Sequence, residues 1–376
     1  MDDVLLVFPS IFSLNKIKKL IESIKKKIEL KFNVNKITTE KSCLVFEVDD
    51  VVEAAVLTAD IFGIEKVAIA KRIPNEFKKI VTTIVNTGKK TILPGEQFFV
   101  RVQAGYPEKV SFTRSDIEFT STGDLAAELS DISAHPAKNE YEATKIIFSY
   151  IGRESTYVCI HIYTGVGGLP FGSQNKKVGC SIHNVLSAAS CLMAVKCGYL
   201  PQILIVYSSE PELKENIRLF GSIAHRTSIN TLKIRVTHID LSDDLDGNIR
   251  LMLQESIAIK ILTVLPERNI ILPLSVSIHP FWFVEAIKRR TLFAGKTPFM
   301  PLLFLTDSIY HTVDDMHLKY QKQDINMLIN NAMFKKEAYE KYQKKIDALS
   351  KDGKKNIKTI SLKIGPNYLH DIIDSI

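Results

Sequence analysis

The sequence predicts a multidomain α/β and α+β protein, in which a ferredoxin-like unit and a second small α/β unit precede a doubly wound parallel sheet. Three observations predict it. At 376 residues the chain exceeds what one hydrophobic core serves, about 100 to 200 residues. Residues 1 to 74 alternate strand-type and helix-type patterns, the signature of a small sheet with helices on one face. Beyond the turn-rich GVGGLPFGSQ, residues 165 to 174, strands and helices alternate again, which implies a parallel sheet with helices on both faces.

The elements follow in order. DVLLVF is a strand, and KIKKLIESIKKKIELKF is an amphipathic helix with Ile17, Leu20, Ile21, Ile24 and Ile28 inside and a lysine-rich outer face. SCLVFEV is a strand, VVEAAVLTADIFG a short helix closed by Gly63, and KVAIA the next strand. A second unit, residues 75 to 166, opens with the helix EFKKIVTTIVN, a turn at Thr87-Gly88 and the strand FFVRVQA. A helix from Asp116 to Leu129 comes next, then TKIIFSY and TYVCIHIYTG, whose β-branched and aromatic residues argue for strands. Residues 167 to 322 form the third unit, with strands at ILIVY near 203, LKIRVTHI near 232, NIILPLSVS near 269 and PLLFL near 301. GNIRLMLQESIAIKILTVLPER is helical between them. Residues 323 to 376 make a basic helical extension of weak apolar periodicity, with KTISLKI as a candidate edge strand. No repeat of solenoid period and no low-complexity linker occurs.

Composition narrows the class. A hydrophobic share of 45% and a charged share of 24% match a soluble globular protein, and no stretch approaches the roughly 20 apolar residues that span a bilayer. MDDVLLVFPS places acids where a signal peptide carries basic residues, and Pro9 breaks its apolar run. The five cysteines are odd in number and form no CxxC pair, which argues against a disulfide framework or a zinc knuckle. A cytoplasmic protein is expected. The net charge of +7 is unevenly spread: residues 1 to 114 carry 19 Lys+Arg against 14 Asp+Glu, residues 115 to 318 carry 18 against 21, and residues 319 to 363 carry 12 against 5. Basic ends around an acidic middle suit a polyanion held at the periphery; solvated helix faces are the alternative reading.

FFVRVQAGYPEKVSFTRSDIE, residues 98 to 118, resembles the core of a THUMP RNA-binding domain. GGLPFGSQNKKV, residues 167 to 178, is similar to the linker that, in the tRNA thiouridine synthetases, leads into the PP-loop ATP-pyrophosphatase domain. The resemblance covers about residues 1 to 310 and is strongest at the linker. It implies a tRNA partner held by its acceptor end, with Arg101, Lys109 and Arg114 near phosphates and Phe112 against an unpaired base. An ordinary core position is the alternative for Phe112. A partner protein is also conceivable, whereas neither membrane nor DNA is expected.

The family's nucleotide loop has the form S-G-G-x-D-S, in which paired glycines let backbone N–H groups wrap a phosphate and the acid organises nucleotide and metal. Counting from the linker places Ile182, His183, Asn184, Val185, Leu186 and Ser187 on those positions, and only the serine matches. From Leu169 through Leu200 there is no Asp or Glu and no pair of adjacent glycines. The loop is therefore read as degenerate, with no catalytic residue and no cofactor; ATP and magnesium enter only if a rearranged loop holds them. No cysteine follows Cys197, so the family's late sulfur-handling cysteine is missing, and Cys180, Cys191 and Cys197 read as small hydrophobes. His183 with Asn184 could bind an anion through backbone amides, or Asn184 could cap a helix. His311, Asp314, Asp315 and His317 offer ligand types without metal-site spacing, and a polar helix start after Thr306 and Asp307 explains them equally. Lys288, Arg289 and Arg290 near Trp282 and Phe283 are either an RNA contact or a solvated helix end. The leading reading is a tRNA-binding scaffold. Its rivals are an active tRNA sulfurtransferase that adenylates a uridine and a protein-interaction module without RNA.

Overall fold

DVLLVF forms β1 (Asp3–Pro9), an apolar run without alternation because both its faces are covered. Leu5 and Val7 pack with α1 (Ile17–Ile28) and α2 (Val51–Ala59), while Val4, Leu6 and Phe8 meet Phe148, Tyr150 and Tyr157. The computed structural model describes residues 3–227, 231–241, 245, 247–303 and 336–363. The chain divides into two units, Met1–Leu169 and Pro170–Ile376.

In the first unit β1 lies between β3 (Leu44–Val48) and β4 (Ile64–Pro74), antiparallel to both, with β2 (Val34–Thr39) outside β3. This is the ferredoxin-like arrangement that the alternation predicts. β2 escaped the sequence reading because VNKITT is a polar, half-exposed edge strand with little apolar signal. The sheet continues from β4 through β8 (Ser155–Gly167) and β7 (Lys145–Ile151) to β5 (Gln97–Ala104) and the short β6 (His135–Pro136). Residues on either side of Asn75 thus share one eight-stranded sheet. α3 (Phe77–Thr91) and α4 (Arg114–Glu128) cover its far end through Ile80, Ile84, Phe98, Val102, Ile117 and Leu125.

The turn expected at Thr87-Gly88 does not form, and α3 runs straight through it. Gly88 is there for close approach: a Cβ would come within 2.7 Å of the Leu125 side chain on α4. α4 starts at Arg114, two residues before the expected Asp116, because Thr113 and Asp116 make a reciprocal capping box.

In the second unit five parallel strands, β9 (Lys177–Ile182), β10 (Leu200–Tyr207), β11 (Thr231–His238), β12 (Asn269–Ile271) and β13 (Thr297–Phe299), form a sheet with antiparallel β14 (Lys358–Lys363) at one edge. Their order is β13-β12-β9-β10-β11-β14. α5 (Val185–Lys196), α6 (Glu210–Ala224), α7 (Gly247–Thr263), α8 (Phe281–Phe293), the short α9 (Lys336–Glu340) and α10 (Gln343–Lys355) complete the unit. KTISLKI does form the edge strand β14. The strand expected over PLLFL lies upstream at Thr297–Phe299, and Pro301 to Leu303 turn instead; residues 304 and 305 lie outside the described residues. The lysine-rich α10 docks by Ile346, Ser350 and Gly353, where the Gly353 carbonyl accepts from Thr237 Oγ1 at 2.7 Å and a Cβ would press on Ile261. Among the described residues no helix is long and apolar enough to cross a membrane.

One glycine fixes the turn after β5. Gly105 donates its N–H to Ile151 at 2.9 Å, and a Cβ there would overlap the Tyr150 hydroxyl. Gly105→Ala is expected to destabilise the protein by about 1 to 3 kcal/mol in thermal melts, the usual cost of overpacking, with part of the loss recovered in the double variant carrying Tyr150→Phe.

Candidate functional site

An open parallel sheet offers its ligand crevice at the carboxyl ends of strands where the chain order reverses. Here that point is β9, with β10 on one side and β12 on the other. The turn from Ile182 to Ser187, the segment after β12 and α7 converge there. Side chains occupy it: Ile182, Leu186, Leu272, Leu274, Ile278 and Phe283 are fully buried. Among them sit three buried polar groups. Glu255 of α7 places Oε1 3.7 Å from His183 Nε2 and 3.8 Å from His279 Nε2. His279 lies over Phe283 at 5.6 Å between centroids and 22° between planes, and its Nδ1 is 3.2 Å from the Ser275 amide. Burial lowers the His279 pKa, with the Glu255 carboxylate opposing and His183 reinforcing the shift. Among the described residues no His, Cys, Asp and Glu group is arranged to hold a metal ion. His311, Asp314, Asp315 and His317 lie outside the described residues.

Three amides at the start of α5 are bonded within the chain. Asn184 is the N-cap, and its Oδ1 accepts from the Ser187 amide at 2.8 Å. Ser187 Oγ accepts from the amides of His183 at 2.9 Å and Asn184 at 3.0 Å, and donates to the Asn184 carbonyl at 2.7 Å. A side-chain oxygen from within the helix thus takes two of the donors an anion would use. Of the two sequence readings of Asn184, the cap is the one the structure contains. At the neighbouring end of β10, Arg250 bonds Ser208 Oγ at 2.6 Å and Glu212 at 2.8 Å, and Gln254 joins them at 3.2 Å.

In the first unit, the turn between β5 and α4 shapes a groove of about 540 Å³ lined by Gln103, Pro107, Val110, Phe112, Thr113 and Arg114 among others. Phe112 and Arg114 are brought together in it. Arg101 and Lys109 are not part of its lining: Arg101 lies on β5 with its guanidinium 3.8 Å from Glu140, and Lys109 ends the single 3-10 turn Pro107–Lys109. Phe112 is half-buried, edge-on to Phe77 at 5.7 Å, so it also serves the core. Sequence reasoning missed Arg153, whose guanidinium sits 5.2 Å over the Tyr106 ring beside this turn. The two residues are far apart in sequence, so no local pattern could have joined them.

No protein-family model matches the chain. A probable tRNA sulfurtransferase of Methanosarcina mazei is 29% identical over 163 residues, 43% of this chain and 39% of that protein, so the match spans about two fifths of the relative's length. The fold is that of a solved 4-thiouridine synthetase in complex with RNA and ATP, with a TM-score of 0.67 at 14% identity over 96% of this chain and all of that one. PH1313 of Pyrococcus horikoshii gives a TM-score of 0.62 at 15% identity over 84% of this chain and all of that one. The chain is thus similar over part of its length to a probable tRNA sulfurtransferase and shares the fold of a 4-thiouridine synthetase.

At the turn after β9 the residues present do not fit a triphosphate and its magnesium ion. Three amides of the turn are bonded internally, the turn carries no carboxylate, and the crevice is packed. The cysteines offer no reactive thiol in its place. Cys180 on β9 and Cys191 on α5 are buried, and burial pushes the Cys180 thiol well above its ordinary range, as it raises that of half-buried Cys197.

Two measurements probe this packing. Ser187→Ala orphans two amides at once and is expected to cost about 2 to 6 kcal/mol in denaturant unfolding, given about 1 to 3 kcal/mol per unsatisfied buried group. The lowered His279 pKa means that the unfolded chain binds a proton the folded chain resists. Its contribution to stability is complete above the unfolded value of 6.5 and is lost as pH falls from there towards the folded value. Melting temperatures should fall from about pH 7.5 to pH 5, less steeply in His279→Gln.

Proposed function

We propose that the chain binds tRNA through its N-terminal unit and that its α/β unit serves as a binding scaffold in tRNA modification, without ATP-dependent adenylation. In this reading residues 1–74 are a ferredoxin-like domain, 75–166 the THUMP domain, 167–322 a degenerate PP-loop domain and 323–376 its basic extension, working in the cytoplasm with no resident cofactor. Arg101, Lys109 and Arg114 contact phosphates, and Phe112 lies against an unpaired base at the acceptor end. Kinship with a probable tRNA sulfurtransferase and a fold like that of an RNA-bound synthetase support the RNA role. The observation that carries the scaffold role is Ser187 Oγ on the His183 and Asn184 amides. A scaffold of this kind would hold the tRNA for a partner enzyme.

Filter binding of total tRNA over a salt series tests the first part. Affinity should fall steeply with salt, and Arg101→Ala and Arg114→Ala should each flatten the log-log slope by about 0.7 to 0.9. Isothermal titration with Mg-ATP tests the second: no heat of binding is expected, and micromolar affinity would make the chain an adenylating enzyme after all.

A further inference from the structure

Trp282 is the chain's single tryptophan. It stands on α8 in the wall of a groove of about 460 Å³ shared with α9, whose lining also includes Glu285, Arg289, Arg290, Tyr339 and Gln343. The indole is held edge-on to Phe283 at 5.9 Å and tilted against Tyr339 at 5.6 Å, and is half-buried. Arg290 is fixed beside it by Gln343 at 2.8 Å and the Tyr339 hydroxyl at 3.3 Å. Arg289 is exposed with its guanidinium 6.0 Å over the ring of Phe293, itself 82% exposed. A held aromatic ring, two guanidinium groups and a carboxylate therefore line one concave surface.

We infer that this groove takes an unpaired nucleotide of an RNA strand, an assignment that rests on the RNA-binding reading and adds a second contact surface to it. The chemistry is complementary on three sides. A base stacks on the indole, which tolerates any base because each has a π face. Its phosphate meets Arg289 and Arg290, whose planar forks match phosphate oxygens. Glu285 at the rim accepts an exocyclic amino N–H. An acidic peptide supplies the charge for the arginines, whereas each nucleotide brings both an anion for them and a π face for the indole. A strand fits better than a free nucleotide because exposed Phe293, with Arg289 over its ring, continues the pairing of cation and ring along α8.

The lone tryptophan makes the test direct. The full chain is titrated with a single-stranded oligoribonucleotide, the same sequence as a duplex, and AMP, following indole emission and filter binding together. Expected are quenching by the single strand, little response to duplex or AMP at equal concentration, and about tenfold weaker binding by Arg289→Ala with an unchanged thermal melt. Unaltered emission while filters retain the oligonucleotide, or an Arg289→Ala variant that binds as the parent does, overturns this inference and leaves the RNA role standing. AMP binding as tightly as the strand overturns the assignment to RNA. Absence of binding by both methods removes the RNA reading itself.

Discussion

The second unit is organised around one hydroxyl. The amides at the amino end of a helix have no partner within it and must find an acceptor, which in nucleotide-binding folds is a phosphate. Ser187 sits one turn into α5, and its Oγ reaches back to the two amides that precede the helix while Asn184 caps the Ser187 amide. Three amides of the turn are thereby bonded within the chain, and the side chains of Ile182 and His183 beside them are buried.

The same logic explains why polar groups remain in a crevice that is otherwise hydrophobic. An isolated carboxylate in an apolar interior is costly, and Glu255 is fully buried. Two imidazoles flank it at 3.7 and 3.8 Å, distances of electrostatic contact rather than strong hydrogen bonds. Each of the three groups comes from a different segment: the β9–α5 turn, α7, and the stretch between β12 and α8. The cluster therefore ties together the segments that border the crevice.

How much of this the sequence discloses depends on how local the cause is. The absence of carboxylates and paired glycines around residues 182 to 187 is a property of contiguous residues and is readable directly. So are the amphipathic α1 and the Asn184 cap. The pairing of Glu255 with His183 and His279 is not, because residues from three segments meet only in the folded sheet. β2 was missed because an edge strand needs no apolar alternation, and the helix through Gly88 because glycine's ordinary meaning, a turn, was overridden by packing against Leu125. The turn between β5 and α4 was half legible: its cations and Phe112 lie close together in sequence, whereas Arg153 arrives from a distant hairpin.

The two candidate sites also differ in what sustains them. Every contact that shapes the turn between β5 and α4 lies within the first unit: Gly105 against Tyr150 and Ile151, Thr113 with Asp116, Phe112 on Phe77, and Arg153 over Tyr106. None of these depends on the turn between β9 and α5. Substitutions at residues 182 to 187 therefore change the crevice without altering the scaffold that presents Phe112 and Arg114. The chemistry of each unit therefore has to be judged from its own residues.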